Sequence, residues 1–115
     1  MAITETSTGS RVTSATEWSL PRAAAYSAAS PQTAHGVYQL FVDTTSMTAS
    51  DEVRIRIYEK VRAADTQEIV YTSNVVGLQT AVWVSPSLVL MNGWDMTVVA
   101  VSGTATVTWS IRQVA

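Results

Sequence analysis

A chain of 115 residues with a formal net charge of −2 is the size of one domain and long enough to bury a single core without staples. It has no cysteine, which excludes a disulfide scaffold and a thiolate metal site. Seven basic residues, one of them lysine, lack the clustering of a nucleic-acid binder. The start, MAITETSTGS, has neither a basic region nor an apolar run, so no signal peptide is expected, and no apolar run approaches the ~20 residues that span a bilayer. The expectation is a soluble protein made in the cytoplasm, with no membrane or nucleic-acid partner.

From Ala2 to Ser19 the chain is rich in Thr and Ser and alternates weakly. It is predicted to be an extended arm with one strand around Arg11–Trp18. Pro21 to Pro31 is Ala-rich and bounded by prolines, which leaves little room for a helix and predicts an irregular extended connection that a partner chain could order. Residues 1–35 are therefore expected to be an N-terminal arm, and residues 36–115 a folded domain. Val37–Asp43 carries apolar residues on both faces, as an inner strand does. Thr44–Asp51 reads as a polar loop.

Glu52–Val61 has the clearest pattern of the chain. Val53, Ile55 and Ile57 lie on one face, and Glu52, Arg54, Arg56, Tyr58 and Lys60 on the other, a period of two that marks a half-buried strand. Glu59 interrupts the dry face, so it is expected at the rim beside an arginine such as Arg112. Gln67–Asn74 is predicted to form a hairpin with this strand through a loop of about five residues. Ala81–Val84 and Ser87–Met91 are short strands separated by Pro86. Asn92-Gly93 is the strongest turn signal, and Ser102-Gly103 is a second. Trp94–Val101 and Thr104–Arg112 alternate and are predicted to pair as a hairpin. About seven or eight short strands with turns every 8–12 residues describe an all-β protein, an antiparallel β-sandwich of jelly-roll-like form. Fibronectin-like and immunoglobulin-like sandwiches stay open, because strand order is not readable from spacing. No amphipathic helix is available for a parallel α/β crossover.

Chemistry-bearing constellations are sparse. His35 is the single histidine and follows a proline-containing loop, without a second His or Cys to complete a metal site. No Ser or Thr has a base beside it in the sequence, and neither a nucleophile elbow nor a phosphate loop is present. Asp43, Asp51 and Glu52 flank one loop and could hold calcium, but a strand end and a turn explain them as well. Glu17, Glu59 and Glu68 show no two-carboxylate arrangement. No enzyme, cofactor or metal is expected. Of the four tryptophans, Trp94 and Trp109 are in register with core positions. Trp18 and Trp83 are not, and are candidates for partner contacts; Trp83 with Tyr58 is the alternative sugar-stacking pair. The candidate partner-binding set is Trp18, Leu20 and Tyr26 on the arm, Arg54, Arg56 and Tyr58 on the wet face, and Trp83.

The stretches DEVRIRIYEKV, WVSPSLVLMNGWDMTV and VTWSIRQVA resemble a group of small structural proteins of tailed bacteriophages. The similarity spans Gly36 to Ala115 and includes Gly93-Trp94-Asp95 and Trp109-Ser110-Ile111-Arg112; the arm matches loosely. The resemblance carries no catalytic motif. It implies a virion component, and small β-sandwich proteins of such particles include capsid decoration, or cement, proteins. These bind the head's outer surface and clamp neighbouring subunits. The resemblance thus implies the major capsid protein as partner, homo-oligomerisation as a dimer or trimer, and location on the virion surface. A tail, neck or fibre module and a carbohydrate-binding module are the alternatives.

Overall fold

The computed structural model describes residues 2–114. The strands are β1 (Ile3–Val12), β2 (Trp18–Ser19), β3 (Ala24–Ala25), β4 (Gly36–Asp43), β5 (Glu52–Glu59), β6 (Glu68–Val76), β7 (Trp83–Val84), β8 (Leu88–Leu90), β9 (Trp94–Ser102) and β10 (Thr106–Val114). They form two antiparallel sheets facing each other. One has the order β1-β10-β4-β7, with β8 also paired to β4; the other has the order β3-β2-β9-β5-β6. The chain is an all-β sandwich, as its two-residue rhythm predicts.

The core lies between the sheets and is built from alternate residues of four inner strands. Tyr38, Leu40 and Val42 of β4 and Val107, Trp109 and Ile111 of β10 come from the first sheet. Val53, Ile55 and Ile57 of β5 and Trp94, Met96 and Val98 of β9 come from the second. Each such side chain contributes about 1.5–3 kcal/mol by leaving water. Tyr38 and Trp94 meet across the core with ring centroids 4.5 Å apart, and their polar tips both donate to the carbonyl of Ala34.

The N-terminal segment departs from expectation. Residues 3–12 are extended, but instead of lying apart from the domain as an arm they pair along their length with β10. The inward positions of β1 are Ser7, Gly9 and Arg11, opposite Ile111, Trp109 and Val107. Small and polar residues suffice there because the Trp109 indole fills the space over Gly9, where an added Cβ would lie 2.7 Å from Cη2. That is why the strand shows no apolar alternation in the sequence. The strand expected around Arg11–Trp18 is correspondingly absent: the chain leaves β1 after Val12 and reaches the other sheet at Trp18.

The last two strands also differ from the hairpin expected of them. β9 pairs with β2 and β5, while β10 pairs with β1 and β4, so Ser102-Gly103 begins a crossing between sheets. The physical reason lies in their dry faces. Met96 and Val98 on one strand and Val107 and Ile111 on the other are all fully buried, and each set covers the other when the strands lie in opposite layers. A second crossing, from β1 to β2, runs beside this one. Thr13 N–H donates to Ala105 O at 2.8 Å, and Ala105 N–H donates to Thr13 Oγ1 at 3.0 Å.

The β5–β6 hairpin is as expected, with a longer loop covering residues 60–67. Glu59 finds no arginine. Its carboxylate accepts from the backbone N–H groups of Met91 and Asn92 at 2.9 and 3.0 Å, holding the turn before Gly93. Arg112 instead stacks over Phe41, its guanidinium carbon 3.7 Å from the ring centroid. β7 and β8 are one edge strand interrupted at Pro86, which has no N–H to give. Ser85 bridges the gap: its N–H donates to Leu40 O, and its hydroxyl accepts from Leu40 N–H at 2.9 Å.

Candidate functional site

The outer faces of the two sheets have opposite characters. Over the second sheet, the segment following Thr13 folds back onto β9 and β5 and is tied down by side chains. Glu17 Oε2 accepts from the Tyr58 hydroxyl at 2.6 Å and from Thr97 Oγ1 at 2.5 Å, while its other oxygen lies 3.5 Å from Arg56 Nη1. Tyr26 stacks on Tyr58 with centroids 4.5 Å apart and donates to Gln67 Oε1 at 2.7 Å. Ser19 donates to Asp95 Oδ1 at 2.7 Å, and Met96 N–H donates to the same oxygen.

This environment shifts several protonation equilibria. Burial, reinforced by the bond to Glu17, pushes the Tyr58 hydroxyl up to about 12. The hydrogen bond to Tyr58 is the main cause holding the Arg56 guanidinium above its usual value. Burial raises Tyr26, with Asp95 and Glu17 adding to it. Asp95 is also raised, chiefly by burial. The hydroxyl of Ser19, the N–H of Met96 and the charge of Arg22 act in the opposite direction, and Glu17 acts with burial. With Glu17 already accepting from two hydroxyls and facing Arg56, the cluster pins the crossing segment against the sheet.

The expected partner-binding residues are therefore largely engaged within the chain. Tyr26, Arg56 and Tyr58 come together, but in this internal network. Leu20 is 1% exposed and belongs to the core, so it offers nothing to a partner. Trp18 packs on the core from β2, with Arg11 stacked 3.5 Å from its ring centroid. Trp83 is half-buried at the side of the sandwich, donating to Ser73 Oγ at 3.3 Å. Arg54 is half-buried and donates to Asn74 Oδ1 at 3.2 Å. Sequence reading missed Glu17, Ser19, Asp95 and Thr97, because their partners lie 40 to 80 positions away.

The outer face of the first sheet is uncovered and carries an apolar row at one end. Cross-strand register puts Ile3, Val114, Val37 and Val89 in one row across β1, β10, β4 and β8. Ile3 and Val89 are 70% and 73% exposed, and Met91 beside them is 57% exposed. A cleft of about 450 Å³ runs along this row, lined also by His35 and Gln113. Further along the face, Phe41, Val82, Val84 and Arg112 line a second cleft of about 430 Å³. Between the two lies a polar row, Glu5, Arg112 and Gln39. The pattern of β4, apolar on both faces, was the sequence signal for this surface.

The loop carboxylates act as local caps. Asp43 accepts from the backbone and hydroxyl of Thr45, and the hydroxyl bond is the main cause lowering it below the ordinary carboxylate value. Asp51 Oδ2 accepts from Thr48 N–H at 2.8 Å. Among the described residues no group of three His, Cys, Asp or Glu side chains is placed to hold a metal ion. Comparison with protein-family models, with curated proteins and with solved structures finds no match for this chain.

Proposed function

We propose that this chain is a non-enzymatic structural protein of a tailed-phage virion, a decoration or cement protein that binds the outer surface of the head and clamps neighbouring major capsid subunits. The observation that carries this reading is the apolar row Ile3–Val114–Val37–Val89, exposed at both ends, half-buried between them and extended by Met91. Contiguous apolar surface of this kind marks an interaction site, and a sheet face is a suitable platform for a large, flat partner. The residue resemblance over Gly36–Ala115 supplies the particle, and the face supplies the means of attachment. Attachment is thus assigned to the first sheet, in place of an N-terminal arm.

The strand order supports the jelly-roll reading of the fold. β1, β10, β4 and the β7/β8 strand interleave with β2, β9, β5 and β6 as two four-stranded layers wound together, with β3 added at an edge. A protein that binds only the assembled lattice stabilises it by mass action, which is the physical basis of cementing. No reaction, cofactor, membrane or nucleic acid enters this role.

The test uses heads of the encoding phage purified without this protein. Wild-type chain is expected to bind them in hundreds of copies per particle; failure to bind, or a few copies at a neck or tail, overturns the proposal. V89E with M91E, at two exposed positions, is expected to keep the fold and weaken head binding at least about tenfold. Unchanged binding by that variant refutes the assigned face.

A further inference from the structure

An open sheet edge displays unpaired backbone N–H and C=O groups, and natural sandwiches blunt such edges. Three of the four edges here carry a blunting device. β3 is two residues long. The β7/β8 strand is broken at Pro86 into pieces of two and three residues. β1 is long, but it has an irregularity between Glu5 and Ser7, and both Glu5 and Arg11 are charged. β6 is different. Its pairing with β5 shifts between Ile57 and Tyr58, leaving Val70 out of register, but from Tyr71 to Val76 it runs regularly for six residues. That stretch, Tyr-Thr-Ser-Asn-Val-Val, has no charge, no proline and no glycine.

We propose that the free edge of β6 pairs with β6 of a second copy of this chain, across a two-fold axis at Ser73, joining two five-stranded sheets into one. Register follows from the faces. Tyr71, Ser73 and Val75 point inward, opposite Ile57, Ile55 and Val53, while Thr72 and Asn74 point outward. In an antiparallel pair directly opposite residues share a face, so the axis falls on a residue of the strand. At Ser73 it sets Tyr71 opposite Val75 of the second copy and Thr72 opposite Asn74, with no charged side chain facing another along the stretch. Glu68, the strand's one charged residue, lies beyond the end of the pairing.

The flank of the edge fits the same occupant. Tyr71 and Trp83 lie half-buried with centroids 6.2 Å apart, and Val76 at the end of the strand and Leu78 just beyond it are exposed. Six residues make an edge only about 20 Å long, so backbone pairing alone covers less than a stable dimer needs. The apolar flank supplies the remainder. This inference stands on the fold alone and is independent of head binding.

Sedimentation velocity on the full chain over a concentration series tests it. The wild type is expected to dimerise. T72K with N74K places two pairs of lysines face to face and is expected to weaken the dimer at least about tenfold, with far-UV circular dichroism unchanged. T72K with N74D places opposite charges there and is expected to restore it. A wild type that stays monomeric at all concentrations, or a lysine pair that leaves the dimer intact, overturns the proposal. Amide exchange of the wild type gives a reading that needs no variant. Protection of residues 72–74 that rises with concentration supports edge pairing, and a dimer without such protection refutes it.

Discussion

Asp95 is the residue whose environment departs furthest from what its chemistry prefers. It is fully buried, one carboxylate oxygen takes two donors, and the other has no partner among the described residues. A buried carboxylate in that position resists ionisation, and its raised pKa has a consequence for stability. A group whose folded pKa lies above the unfolded value binds its proton more tightly in the native state. Its contribution is greatest below about pH 4, the unfolded value for Asp, and is lost as pH rises through the folded value. D95N keeps the acceptor used by Ser19 and Met96 but carries no charge. Its melting temperature is expected to approach that of the wild type below about pH 4 and to exceed it by roughly 5 °C at neutral pH. Melts across this range check it; a difference that is flat with pH, or that widens on acidification, contradicts the assignment.

At the scale of the element, β1 shows how a strand without an apolar stripe can still be integral. Its contribution is backbone pairing to β10 and a place for the Trp109 indole to lie. Gly9 is the residue on which this depends. A methyl group there meets Cη2 of the indole at 2.7 Å, so either the ring or the strand must shift. G9A is expected to cost about 1–3 kcal/mol, as overpacking does elsewhere, measured by urea unfolding with tryptophan fluorescence as the probe. Unchanged stability would mean that Trp109 packs differently from the arrangement described. β6 shows the converse: its pattern is strongly β-forming, yet only one of its two edges is used within the chain.

The described chain measures 40 × 31 × 19 Å along its principal axes, and the thin dimension is that of two stacked, twisted sheets. In so thin a body every strand is part of the single core or one strand removed from it. Removing Ala2–Leu20 takes away β1, the crossing segment with Glu17, and Leu20 itself. This truncation is therefore expected to abolish cooperative folding, rather than to yield a folded domain that has merely lost an attachment arm. Near-UV circular dichroism and a thermal melt decide between the two; a sharp native-like transition in the truncated chain would restore the idea of a separable arm.

How much was legible beforehand follows from these cases. The two-residue rhythm of Glu52–Val61, Trp94–Val101 and Thr104–Arg112 marks strands and their dry faces to within two residues at each end, because side-chain alternation is a local property of extended backbone. The absence of cysteine was equally visible, and so was a change of direction at Asn92-Gly93 and Ser102-Gly103, although neither closes a hairpin, since β8 and β9, like β9 and β10, lie in different sheets. Pairing was not. Whether β10 lies beside β9 or across the core from it leaves the same faces buried in either case, so spacing carries no information about it. Nor was the use of Tyr26, Arg56 and Tyr58: a polar or aromatic side chain on a wet face reads alike whether solvent, a partner or a distant Glu17 meets it. Sequence alone thus determined the strands that follow Gly36 and the layered all-β class. Only the tertiary structure decided which strands share a sheet, which outer face is covered and which stays open, because those outcomes rest on contacts between residues far apart in the chain.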